Sequence, residues 1–317
     1  MPTEKHQIFV GCLSGTLKGI SLDESLDVIN LQKCNTLNQM KVLELSWNDD
    51  KEVDILVACC TKETQSVQVF NTETSKFTQT FKCNEGEGDI IGICNYYNSI
   101  LVARQSGHIT RLNSNEEELI VLNSGPGLRK MRQADKLIAT GGLENPLKLL
   151  DVERKKEIFI AKNVKNDFLG LKVPIWISDI GFFSGTSKIV TASKHGHVQL
   201  YDIRAQRRPV IKVEMKSEAL GSLALHPSKM QVIVGSGKGR MNLIDLRNGG
   251  KVLNSYKGSA GSITGIAITK SGDSVISISL DRTLRIHDIN TKLILKKQYL
   301  STRLTSLLTR SEYTLRE

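Results

Sequence analysis

The sequence predicts an all-β fold, a ring of seven four-stranded blades closed by strands from both ends of the chain. Two observations carry this. One strand pattern recurs seven times in a common register, as GTLKGIS, QSVQVFN, GHITRLN, NPLKLLD, GHVQLYD, GRMNLID and RTLRIHD. The copies end at Ser21, Asn71, Asn113, Asp151, Asp202, Asp245 and Asp288, at intervals of 50, 42, 38, 51, 43 and 43 residues. These bracket the roughly 40–45 residues of one propeller blade. The second observation is that each copy alternates apolar and polar residues, as a half-buried strand must when successive side chains point to opposite faces. The register is that of WD40-like repeats, whose Trp-Asp dipeptide anchors the third strand. Here the Trp slot holds residues such as Phe70, Leu150, Tyr201, Ile244 and His287, so the usual hydrogen-bonded network of those repeats is expected to be largely absent.

Blade 7 shows the four-strand order most plainly. Ser262 to Thr269 reads as inner strand A, Ser274 to Ser279 as B, Thr283 to Ile289 as C and Leu293 to Gln298 as the outer strand D. Turns Ser271-Gly272-Asp273 and Leu280-Asp281-Arg282 separate the first three. Blades 6 and 5 follow suit, with LGSLALH, MQVIVGS, RMNLIDL and VLNSY, and with WISDIGFF, SKIVTAS, HVQLYDI and PVIKVE. The first blade opens directly on a B strand, HQIFVGC, so the segment 304–309 is expected to supply its inner strand. Closure of that kind removes exposed sheet edges. One propeller over 1–317, with no separate tail domain, is the expected organisation.

Composition narrows the function. No stretch approaches the roughly 20 apolar residues of a membrane helix, and the start lacks a signal-peptide pattern. A soluble intracellular protein is expected. The six cysteines lie in the first third without CxxC spacing, and read as buried reduced thiols rather than metal ligands. GSGKGR at 235–240 lacks the spacing and following helix of a phosphate loop and reads as a turn. Nucleophile elbows, HExxH and kinase loops are missing, and the inner strands offer Asp179 and little else for channel chemistry. A non-enzymatic binding platform without cofactor or metal is therefore expected.

Charge is unevenly spread. Residues 1–125 carry 10 basic and 17 acidic residues, whereas 126–317 carry 33 and 16. On a ring, one arc is acidic and the other strongly basic, which attracts polyanions. Three groups of cations stand out. Arg129, Lys130 and Arg132 fall on the inner strand of blade 4 with no acidic neighbour in sequence, which suggests an anionic ligand or, alternatively, carboxylates on adjacent blades. The long connection from blade 4 to blade 5 holds Lys162, Asn163, Lys165, Asn166, Asp167, Phe168 and Lys172, a mixture suited to RNA or a protein groove. Arg207 and Arg208 close the RAQRR stretch in a C–D turn, which strand alternation assigns to the opposite end of the ring. A second long connection runs around Cys34 to Met40.

The stretches GPGLRKMRQ, ATGGLENPLKLLD, AKNVKNDFLGLKVPIW and RRPV, with the closing LDRTLRIHDI, resemble the WD repeat-containing protein 74 family and its fungal counterparts, the ribosome biogenesis NSA-one proteins. The resemblance runs in order along nearly the whole chain and is most specific over 125–210. It implies a nucleolar assembly factor of the large (60S) ribosomal subunit that supports pre-rRNA processing. The implied partners are pre-60S assembly factors, ribosomal RNA and a type-II AAA ATPase that releases the factor, the protein sitting as a monomer within a large particle. It also implies a lysine-rich tail beyond the propeller linked to nuclear import, and no run of four basic residues occurs in these 317. The competing reading is a protein-only adaptor. Tyr201-Asp202-Ile203-Arg204 matches the [WY]DxR pattern of cullin-type ubiquitin-ligase substrate receptors, with Arg204 and Arg247 as its residues.

Overall fold

Alternation is realised as 28 strands in seven antiparallel four-stranded sheets. They are seen in a computed structural model that describes residues 6–22, 27–31, 40–61, 63–97, 99–113, 118–166, 169–183, 187–247 and 249–311. The recurring heptads form the third strand of every blade, for example Gln65–Asn71 in blade 2, His197–Asp202 in blade 5 and Thr283–Asp288 in blade 7. Four of the heptads start with glycine, and each of these (Gly15, Gly107, Gly196, Gly239) has positive φ at the B–C turn. Gly107, at φ 97°, shows why: a Cβ there would lie 2.1 Å from the carbonyl oxygen of Gly125.

The core lies between the blades. One apolar cluster fills each junction around the ring, such as Leu56, Val67, Ile93 and Val102 between blades 2 and 3, and Val190, Leu200, Val232 and Ile244 between blades 5 and 6. No blade has a core of its own, so each sheet is stabilised by its two neighbours.

Leu304–Thr309 supplies the inner strand of blade 1, with Ile8 opposite Thr309 and Gly11 opposite Ser306. Arg310 latches this closure. Its guanidinium donates to the His6 carbonyl (3.0 Å), the Glu52 carbonyl (2.8 Å) and Thr72 Oγ1 (3.0 Å), and lies over the rings of Phe9 and Trp47. Trp47 in turn donates Nε1–H to the Thr309 carbonyl.

The expected loss of blade-locking networks is only half met, because other residues make equivalent bonds. In blade 7, Asp281 accepts from Arg285, Ser279, the Thr283 amide and the Ala260 amide. In blade 4, Asn145 Nδ2 donates to the carbonyls of Ser124, Gly125 and Pro126. A buried polar group must find partners, and here each one ties a B–C turn to the connection arriving from the previous blade.

Candidate functional site

Every inner strand carries a register irregularity near its start, so one residue per blade is left out of the ladder. These residues are Leu43, Ile91, Arg129, Ser178, Gly221, Thr264 and Thr305, read around the ring. Arg129 is the one cation of the set and the one exposed member, the other six being half-buried. Its side chain makes no hydrogen bond or ion pair among the described residues.

Lys130 and Arg132 behave differently: of the two readings, an anionic ligand or carboxylates of other blades, the structure shows them paired with carboxylates. Lys130 Nζ lies 2.8 Å from Glu44 Oε1 on the inner strand of blade 2 (Lys41–Trp47), and Arg132 lies 3.0 Å from the same carboxylate. Arg132 also reaches Asp179 of blade 5 at 3.5 Å. Asp179 accepts the Leu223 amide of blade 6 at 2.9 Å, so the network crosses the channel from blade 2 to blade 6. Blade 3 places Gly92 at the register of Glu44 and Lys130, which leaves no side chain between them. Burial alone would raise the Glu44 pKa, but Lys130 and Arg132 outweigh it and hold the carboxyl below its ordinary value. The inner strands thus offer Glu44 as well as Asp179, both occupied by cations. Among the described residues, no group of three or more His, Cys, Asp or Glu side chains is placed to hold a metal ion.

The connection from blade 4 to blade 5 is braced by its own amides. Asn163 Nδ2 donates to the Val173 carbonyl (2.6 Å) and Asn166 Nδ2 to the Gly170 carbonyl (2.8 Å). Both asparagines therefore shape the loop. Lys162 and Lys165 are exposed with no side-chain partner among the described residues, whereas Lys172 pairs with Glu144 at 3.7 Å. Asp167 and Phe168 lie outside the described residues.

The expected placement of Arg207 and Arg208 is corrected. They do not lie away from this loop. Arg207 Nε donates to the Ile160 carbonyl (2.7 Å), its own carbonyl accepts the Lys162 amide (2.8 Å), and Arg208 Nε donates to the Asn163 carbonyl (3.2 Å). The C–D turn of blade 5 runs from Ile203 to Val210 and is long enough to cross onto blade 4, which strand alternation alone does not reveal. One basic patch at the junction of blades 4 and 5 thus unites Lys162, Lys165, Lys172, Arg207 and Arg208. In the YDIR stretch, Tyr201 is buried and bonded to Gln199, Arg204 is exposed, and Arg247 is paired with its own Asp245 at 2.9 Å.

No protein-family model matches the chain. Individual relatives do. Human WD repeat-containing protein 74 is 35% identical over 314 residues, covering 96% of this chain and 80% of the human protein. The chain belongs to the WD repeat-containing protein 74 family. The mouse member is likewise 35% identical, with 81% of its length covered. Ribosome biogenesis protein NSA1 of the yeast Meyerozyma guilliermondii is 29% identical over 207 residues, about half of each chain.

Proposed function

We propose that this propeller is a non-enzymatic scaffold in the biogenesis of the large ribosomal subunit, docking on precursor particles through assembly factors and the backbone of ribosomal RNA. The observation that carries the reading is similarity over nearly the whole chain to a family whose fungal relatives are named ribosome biogenesis proteins. The basic patch supports it, since phosphate contacts fix register and orientation without reading sequence. Arg129, Lys162, Lys165, Lys172, Arg207 and Arg208 are the candidate contacts. Lys130 is set aside as internal, Arg132 as already paired with Glu44 and Asp179, and Asn163 and Asn166 as loop braces. Action within nuclear, nucleolar particles, support of pre-rRNA processing and release by a type-II AAA ATPase belong to the same proposal.

Gradient sedimentation of tagged protein with ultraviolet crosslinking tests it. Wild type should travel with 60S precursors and crosslink to pre-rRNA, and Arg129→Ala combined with Lys162→Ala and Lys165→Ala should shift it toward free protein. Migration of the wild type as a small, RNA-free complex would overturn the reading and bring forward the ligase-adaptor alternative, in which Arg204→Ala abolishes adaptor binding.

A further inference from the structure

The chain has two tryptophans, and the fold uses them differently. Trp47 packs against the core cluster of blades 1 and 2, meets Phe9 edge-on at 5.7 Å and spends its indole N–H on Thr309. Trp176 precedes the inner strand of blade 5 (Ile177–Phe182), is half-exposed, and packs into none of the apolar clusters. Its indole N–H has no partner among the described residues. The ring instead meets exposed His195 edge-to-face, at 6.0 Å between centroids and 69° between planes.

Backbone bonds hold Trp176 in place. It bridges Leu143, whose N–H donates to the Gly127 carbonyl at 2.8 Å, and its own carbonyl accepts the Lys194 N–H at 2.9 Å. Four connections are thereby stitched side by side at one end of the ring, and Lys194 and Arg129 are carried on them. Lys194 follows directly in this ladder, and its Nζ reaches over blade 6, where a Cβ on Gly221 would lie 3.4 Å away. Lys194 is half-buried with no carboxylate partner, and burial alone lowers its pKa, a state that a bound anion would reverse. Arg129 stands two residues beyond Gly127. The acid of this ladder, Glu144, already accepts Lys172 and the Ile175 amide. An aromatic pair flanked by uncommitted cations matches the stacking-plus-phosphate chemistry of unpaired nucleotides.

We propose that this end of blades 4 and 5 binds single-stranded RNA, a base stacking on Trp176 with His195 standing edge-on beside it, while flanking phosphates meet Lys194 and Arg129. The site deepens the ribosomal reading and rests on it for its physiological ligand. Duplex RNA keeps its bases stacked away from the rings, and an acidic peptide would use the cations alone.

Titrating the protein with a short oligouridylate while following intrinsic fluorescence tests the site directly. Binding should quench fluorescence in wild type, and the quench should vanish in Trp176→Phe, a variant whose melting temperature verifies its fold. His195→Ala should weaken binding about fivefold or more, as loss of one aromatic partner does. Lys194→Ala and Arg129→Ala should each reduce the salt slope by about one. Oligouridylate binding that ignores Trp176→Phe and His195→Ala overturns the site, as does polyglutamate competing equally through the same residues. If wild type travels with 60S precursors yet fails to bind oligouridylate, this site is wrong and the assembly role survives. Quenching by oligouridylate in a protein that never joins those particles keeps the site and removes the role.

Discussion

Exchanging Lys130 for methionine separates the two readings of the channel cations, because the structure makes Lys130 an internal strut rather than a ligand. Its ammonium and the Glu44 carboxylate have side chains only 14% and 15% exposed and stand 2.8 Å apart. Removing one partner of a buried pair costs roughly 3–5 kcal/mol because the other is left uncompensated. The residual exposure, and the second cation on Glu44, bring the expectation for Lys130→Met down to about 2 kcal/mol. Glu44→Gln abandons two cations, and about 3 kcal/mol is expected. Arg132, 40% exposed and still paired with Asp179, should add little of this. Because the double variant removes both charges together, it should be no worse than Glu44→Gln, a coupling of about 2 kcal/mol. At an unfolding entropy of about 2.1 cal/mol/K per residue, 3 kcal/mol corresponds to a melting temperature lower by about 5 °C. Denaturant titration of the four proteins measures the cycle, and oligouridylate titration of Lys130→Met below its transition measures binding. Additive stabilities, or a stable Lys130→Met that has lost RNA binding, would refute the internal assignment.

Three further outcomes follow from particular bonds. Gly107→Ala should cost at least about 2 kcal/mol, read from the denaturation midpoint, since it combines positive φ with a backbone clash. Arg310→Ala should cost about 3 kcal/mol and expose the ring closure to limited proteolysis, and Arg310→Lys should not restore it, because an ammonium lacks the planar fork that reaches three acceptors. Stability should fall on acidification in two stages. Burial lowers the pKa values of His197, His226 and His287, so the unfolded chain takes up protons first and stability declines as pH drops below about 6.5. For Asp281, burial would raise the pKa, but the bonds from Arg285 and Ser279 prevail and depress it. Its contribution, present above about pH 4, is therefore lost below, and Asp281→Asn should flatten that second stage in a pH series of melting temperatures.

The ring was legible because its signals are local. A half-buried third strand must alternate, so the heptads announce themselves seven times, and in four of them a leading glycine marks the positive φ of a tight B–C turn. The missing inner strand of blade 1 and the unplaced segment near the C-terminus implied each other. The pairing of Lys130 was not legible, since Glu44 lies 86 residues earlier and meets it only across the channel. Strand alternation assigns each turn to one end of the ring but says nothing of how far a long turn reaches sideways, which is why Arg207 and Arg208 turn up beside Lys162. Trp176 stands in the sequence just before an inner strand, away from the Trp-Asp slot. Its contrast with Trp47 needed the core, because only packing shows which indole is spent.

The formal charge of +10 therefore overstates what a partner could meet. Lys18 donates to the Leu300 carbonyl, Arg104 to the carbonyls of Cys83 and Gly88, Lys148 to the Ser124 carbonyl, and Arg285 to Asp281. With Lys130, Arg132 and Arg310, these cations tie blades together from inside, where arginine and lysine stand in for the polar network of more regular repeats. Apart from Arg132, whose side chain is 40% exposed, such groups add to net charge while being largely closed to a ligand. Among the cations left over, Arg129, Lys162, Lys165 and Lys194 belong to the inner strands, turns and connections of blades 4 and 5, while others such as Lys216, Lys238 and Lys257 stand exposed elsewhere on the ring. An electrostatic footprint drawn from the whole sequence would spread binding over an entire arc, and subtracting the internal struts leaves the sector of blades 4 and 5 as one of its exposed basic parts. That sector also carries the unpacked indole, and the coincidence of spare charge with spare aromatic surface is the physical reason to look there first.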